Sequence, residues 1–183
     1  MDRSLVERAR GGDRDAYEAL AQASARRLYL TAYRIVRDAD QAEDAVQQTL
    51  VAIWRELPSL RDPDRFEPWT YRLVVRFCLA ESRRHRRAGI RQVPIDDLVP
   101  SQADDFADAD RRDQLSRALH DLSVEHRTVV VLHHYAGLPL AAIAEILGIP
   151  YGTVGSRLHH ATRALRASLA AGDRAPATGG QPA

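Results

Sequence analysis

Residues 140–161 read Leu-Ala-Ala-Ile-Ala-Glu-Ile-Leu-Gly-Ile-Pro-Tyr-Gly-Thr-Val-Gly-Ser-Arg-Leu-His-His-Ala. Two helices meet at Gly148-Ile149-Pro150, and three positions carry the spacing of a helix-turn-helix: Ala144, Gly148 four residues later and Val154 six beyond that. A side chain larger than Ala144 would push the helices apart. Gly148 supplies the positive φ that such a turn needs, and Val154 packs the second helix back onto the first. In units of this kind the N-terminal part of the second helix enters the DNA major groove. It would present Tyr151, Thr153, Ser156, Arg157, His159 and His160, with Arg163 and Arg166 further along near phosphates. Guanidinium, hydroxyl and imidazole groups suit phosphate and base-edge contacts. The plainer reading is a helical hairpin whose polar residues are only solvated, and the spacing alone leaves both open.

Working outward, helical periodicity precedes the motif at Leu115, Ala118, Leu119 and Leu122 and runs on through Val129 and Leu132 to the break at Ala136-Gly137-Leu138-Pro139. Upstream of that, Ala88 to Asp110 has Pro94, Pro100 and six aspartates (Asp96, Asp97, Asp104, Asp105, Asp108, Asp110) in place of a pattern. This reads as a flexible acidic linker. From Leu5 to Arg87 apolar residues again recur at helical spacing, broken at Gly11-Gly12, Arg37-Asp38 and Pro58 to Pro68. Asp15 with Glu18 has the form of a capping box. Ala42, Ala45, Val46, Thr49, Leu50, Ile53, Trp54 and Leu57 form one stripe predicted to be buried, opposite Glu43, Asp44, Gln47 and Gln48, with Pro58 ending the helix. The next helix is predicted from Phe66–Trp69 to Arg87, with Phe66, Trp69, Leu73 and Phe77 inward and arginines gathering at its C-terminus, where cations meet the negative end of the macrodipole. No strand-like alternation of useful length occurs. The fold class is all-α, with two helical domains at 1–87 and 113–171, a linker at 88–112 and a disordered tail at 172–183.

The 183 residues are 45% hydrophobic and 28% charged, the profile of a soluble globular protein. No run approaches the roughly 20 apolar residues of a membrane span, and the first residues lack a signal peptide's apolar stretch, so the cytoplasm is expected. Net charge is only +1, yet Arg76, Arg83, Arg84, Arg86, Arg87 and Arg91 crowd one segment with a single acid, Glu81, just ahead of the acidic stretch. The lone Cys78 can form no internal disulfide and reads as a buried apolar residue. His133-His134 and His159-His160 are adjacent pairs that a helix points about 100° apart, which does not suit one shared metal. No phosphate loop, metal-spaced set or nucleophile elbow is present, so neither an enzyme, a cofactor nor a metal is expected.

Gly148 to Ala161, preceded by Ile143-Ala144-Glu145-Ile146-Leu147, resembles the promoter-reading C-terminal domain of extracytoplasmic-function (ECF) sigma factors of the sigma-70 family. The first half independently resembles their N-terminal domain, through Gly12-Asp13, Ala16-Tyr17, Ala42-Glu43-Asp44-Ala45-Val46-Gln47-Gln48-Thr49-Leu50 leading to Trp54, and Phe66-Glu67-Pro68-Trp69-Thr70-Tyr71-Arg72-Leu73. The resemblance implies a protein that binds core RNA polymerase, through its β′ coiled coil and β flap, and directs initiation at promoter DNA. Residues 1–87 would be sigma region 2 and 113–171 region 4. Asp44, Gln47, Gln48 and Val51 would dock on polymerase. Arg61, Asp62, Arg65, Trp69, Arg72, Arg76, Arg83, Arg84, Arg86 and Arg87 would hold the minus-ten element, where aromatic and arginine surfaces suit unstacked bases. Tyr151, Thr153, Ser156, Arg157, His159, His160 and Arg163 would read the minus-thirty-five element as duplex. An anti-sigma factor is a further implied partner, no small-molecule substrate is implied, and the acidic linker would follow a path meant for nucleic acid. Arg76 stands where many members have asparagine, Ala80 where they have aspartate, and Gly155 where a cation is common. The other reading is a helix-turn-helix regulator that binds DNA without polymerase, which leaves the first half without a role.

Overall fold

The computed structural model describes residues 1–88 and 114–172, and the linker from residue 89 on and the tail from residue 173 on lie outside the described residues. The described part is helical, with no strand among its residues. The N-terminal half contains α1 (Arg3–Arg10), α2 (Arg14–Val36), α3 (Ala39–Glu56) and α4 (Phe66–Arg87). The C-terminal half contains α5 (114–120), α6 (Val124–Val130) continuing into a π turn at Val131–Tyr135, α7 (Leu140–Leu147) and α8 (Tyr151–Gly172).

The helix starts follow from side-chain caps. Asp2, Asp13, Asp38 and Ser123 each accept a hydrogen bond from a backbone N–H of the first turn they open, meeting donors that have no partner inside the helix. The predicted box at Asp15 is displaced: the cap of α2 is Asp13, bonded to Ala16 N at 3.0 Å, and Asp15 lies inside the first turn. α2 ends where Arg37 turns to φ 59°, and Asp38 at once opens α3, so two long helices reverse with almost no loop. Pro58 lies in the short 3-10 turn Leu57–Ser59 that follows α3.

Leu20, Leu28, Ile35, Ile53, Leu57, Phe66 and Val74 fill the interior of the first half, each contributing about 2 kcal/mol by leaving water. Ala42, Ala45, Val46, Thr49, Ile53 and Leu57 are buried as the α3 stripe requires. Trp54 departs from it, at 45% exposed beside Val51 at 49%, because it leans outward edge-on against Tyr17 at 4.7 Å. Leu115, predicted on an inward face, is also exposed. Cys78 is fully buried, and burial pushes its thiol up to about 12.

The two halves share one apolar core: Val129, Val131, Leu132, Ile143, Ile146 and Val154 belong to the same buried cluster as α1–α4. Polar contacts tie the seam. The guanidinium of Arg127, 4% exposed, donates to Ile35 O (2.9 Å) across the seam and to His120 O (2.9 Å) and Leu122 O (2.8 Å) on its own side. Arg37 donates to Ser116 Oγ, and Arg34 lies 3.8 Å over the Tyr135 ring.

Candidate nucleic-acid and polymerase interfaces

In the C-terminal half Gly148 takes φ 63°, as the motif requires, and the turn it makes lets Ile149 N donate to Ala144 O at 3.2 Å. Pro150 then opens α8 by accepting from Thr153 N (2.9 Å) and Val154 N (3.2 Å). Val154 and Ala161 are fully buried and fix the rotation of α8. That rotation leaves Tyr151, Ser156, His159, His160, Arg163 and Arg166 exposed, and Thr153 and Arg157 half-buried. Ser156 Oγ donates to Thr153 O of its own helix at 3.0 Å and remains exposed. Imidazole, guanidinium and hydroxyl groups thus share one exposed helical surface. His133 and His134 stand 4.7 Å apart between ring centroids and His159 and His160 5.8 Å apart, and no group of three metal-capable side chains occurs among the described residues.

In the N-terminal half the basic residues follow α4 and the turn before it. Arg61, Asp62, Arg65, Arg72, Arg76, Arg83, Arg84, Arg86 and Arg87 are exposed, and Trp69 is half-buried beside Phe66. Several already have partners within the molecule. Asp62 caps the short turn Pro63–Arg65 through Asp64 N (3.0 Å), Arg76 pairs with Glu56 (3.3 Å), and Arg65 lies 4.0 Å from Glu145 of α7. Arg65, Trp69 and Arg72 line a cleft of about 320 Å³ that α7 closes on its far side with Ala142, Glu145 and Ile146. Arg83 turns back to Leu79 O (3.1 Å). Arg84 sits 3.2 Å from Asp44 and 2.6 Å from Glu81.

The outer face of α3 brings Asp44, Gln47, Gln48 and Val51 together with Trp54. An apolar centre ringed by acid and amide groups is well made for docking a protein. Gln48 is drawn inward by one bond, from Nε2 to Glu81 Oε1 at 2.8 Å. The residues that sequence reasoning missed are the acids Glu56, Glu81 and Glu145, which meet the arginines, and Arg127, which joins the halves. Glu81 had a signal, as the one acid in an arginine-rich segment.

Comparison with known proteins matches each half to a family model: "Sigma-70 region 2" over residues 20–88 and "Sigma-70, region 4" over residues 112–165. The ECF RNA polymerase sigma factor SigL of Mycobacterium tuberculosis is 37% identical over 145 residues, covering 78% of this chain and 82% of SigL. The RNA polymerase sigma-H factor of Pseudomonas aeruginosa is 28% identical over 185 residues, covering 92% and 94%. Among solved structures, CnrH in complex with the cytosolic domain of CnrY superimposes with a TM-score of 0.66 at 26% identity, covering 93% of this chain and 97% of that one. The fold alone is shared with the sigma factor RpoE from Bartonella quintana, solved in complex with the anti-sigma factor NepR, at a TM-score of 0.70 and 23% identity, covering 84% and 96%.

Proposed function

The chain belongs to the ECF RNA polymerase sigma factors of the sigma-70 family, and from that premise we propose how its surfaces divide the work of initiation. The outer face of α3, with Asp44, Gln47, Gln48 and Val51 and the exposed Trp54, docks on the β′ coiled coil of core polymerase. The C-terminal half contacts the β flap. The surface from Arg61 to Arg87 holds the opened minus-ten strand, with Trp69 as a stacking platform and Arg65, Arg72, Arg76, Arg83, Arg84, Arg86 and Arg87 near phosphates and bases. α8 reads the minus-thirty-five duplex through Tyr151, Thr153, Ser156, Arg157, His159 and His160, with Arg163 on the backbone.

The observation that carries this reading is the pairing, in one chain, of an acid-amide-apolar helix face with two separate basic surfaces, in the order of the two matched regions. A regulator that ignores polymerase has no use for the first. The chain works by binding rather than by catalysis, needs no cofactor, and acts in the cytoplasm wherever polymerase meets the nucleoid. No helix among the described residues is long and apolar enough to cross a membrane. An anti-sigma partner is part of the proposal, supported by the likeness to CnrH in its complex with CnrY.

The test is transcription. Purified chain added to bacterial core polymerase on a broad genomic template should give transcripts from defined start sites, and Asp44→Arg should abolish them by opposing charge at the docking face. Absence of both transcript and complex with core would refute the assignment of these surfaces.

A further inference from the structure

Glu81 is 3% exposed, although it lies near the end of a helix whose neighbouring residues Arg83, Arg84, Arg86 and Arg87 all face solvent. Its two oxygens face different partners. Oε1 accepts from Gln48 Nε2 of α3 at 2.8 Å, and Oε2 lies 2.6 Å from an Arg84 nitrogen, an ion pair whose direction is not that of an aligned hydrogen bond. The same Arg84 guanidinium nitrogen reaches Asp44 Oδ2 at 3.2 Å. One cation is therefore held between two carboxylates from two helices, and the cluster as a whole carries net negative charge.

We infer that Glu81 is a positioning residue for strand binding: with Asp44 it holds the Arg84 guanidinium against α3, so that Arg84 gives a DNA phosphate its charge only when one of its two carboxylates is withdrawn. The inference rests on the proposed DNA-binding role of α4. A phosphate approaching Arg84 in the free chain meets a charge already offset by two carboxylates, both held on one guanidinium nitrogen. Gln48 keeps Glu81 from turning to solvent, because burial leaves the carboxylate no water to replace that donor. Whatever occupies Asp44 on the outer face of α3 leaves Arg84 with Glu81 alone, so docking at α3 and phosphate binding at α4 meet in one guanidinium. A purely structural role would differ: Glu81 would then only pin α4 to α3 through Gln48, and its charge would be immaterial to nucleic acid.

Glu81→Gln separates the two. The amide retains an oxygen for Gln48 and loses the charge that holds Arg84. Binding of the full-length chain to a fluorescein-labelled oligothymidylate, followed by anisotropy over a series of salt concentrations, should tighten several-fold in Glu81→Gln and in Asp44→Asn. The slope of log affinity against log salt should steepen by about 0.7 for the one phosphate gained. Arg84→Ala added to either variant should remove the gain. An unchanged slope in Glu81→Gln, with its helical content intact by circular dichroism, overturns the inference. So does a gain that survives Arg84→Ala, since removal of negative charge anywhere would then suffice. The wild-type chain bound to core polymerase tells this failure from a failure of the proposed function. If that complex also shows no salt-dependent binding to the probe, the DNA-binding reading of α4 falls and the inference with it.

Discussion

Replacing Arg127 by methionine should cost the protein about 3 kcal/mol, and the figure follows from what its guanidinium touches. Three backbone carbonyls, Ile35, His120 and Leu122, lose their donor at once. At 4% exposure the site admits little water to replace it, so each stranded acceptor costs about 2 kcal/mol. Part of this is offset. Burial, with the nearby charge of Arg37, pushes the Arg127 guanidinium down from 12.5 to about 10. At about 1.4 kcal/mol for each step of one in pKa, keeping that cation inside costs about 3 kcal/mol that methionine does not incur. The stranded carbonyls outweigh the relief by about as much again. Urea unfolding followed by far-ultraviolet circular dichroism reads the difference, and Arg127→Lys, which keeps the charge without the fork, should recover only part of it. A loss below about 0.5 kcal/mol for methionine, the scatter of surface substitutions, would refute the reasoning. Because the Ile35 bond spans 92 residues and crosses the seam, the methionine variant should also unfold in two steps, with the C-terminal half leaving first.

Two glycines of the DNA-reading motif should respond with opposite sign in thermal melts. Gly148→Ala forces an L-residue into φ 63° and should lose roughly 1–2 kcal/mol, whereas Gly155→Ala, with nothing within 4 Å of the added carbon, should gain about 1 kcal/mol of helix stability. Cys78, fully buried with its thiol pushed up to about 12, should ignore a thiol-specific chromogenic reagent at pH 8 until urea unfolds the chain; rapid labelling of the native protein would contradict the packing. The Ala16 backbone N–H, then the Arg8 guanidinium, hold the Asp13 carboxyl below its ordinary 3.8. Its stabilisation is therefore complete well above pH 3.8 and is lost as pH falls through the lower folded value. Asp13→Ala should flatten the acid limb of the stability profile over that window, and an unaltered limb would show that the cap carries no such linkage.

The elements that local chemistry dictates were legible in the sequence. α4 runs from Phe66 to Arg87 as its periodicity predicts, and Gly148 takes the positive φ that its place between two apolar runs demands. Ala42 to Leu57 gave a correct stripe except at the half-buried Leu50 and the exposed Trp54, because periodicity assigns a side chain to a face but not a lean along it, and Trp54 packs edge-on against Tyr17 of α2. Asp13 rather than Asp15 caps α2: both have helix formers after them, and the Asp13 carboxylate also meets Arg8 of α1 at 2.7 Å, a contact that local spacing around Asp15 and Glu18 does not show. The basic surface was visible as a count of arginines, but how many of them meet acids was not. Glu56, Asp44 and Glu145 reach Arg76, Arg84 and Arg65 from other elements, and no sequence spacing encodes such contacts, whereas Glu81 sits three residues before Arg84 on α4 itself. The shared core of the two halves was hidden for a similar reason, since Val129 and Leu132 look alike whether they face their own half or another.

The π turn at Val131–Tyr135 gives this protein one place where a helix can shed a residue. Ala136 N reaches back five residues to Val131 O and Leu138 N six to Leu132 O, so the helix that began at Val124 accommodates one more residue than regular spacing allows. Deleting the exposed His134 would let the segment relax to ordinary α spacing with its hydrogen bonds intact, where the same deletion in α3 or α4 would rotate every downstream side chain by about 100°. The element most easily moved by that deletion is Tyr135, whose ring now lies under Arg34. A one-residue length change in the chain would thus adjust the seam between the halves and leave Val129, which precedes the π turn, in place.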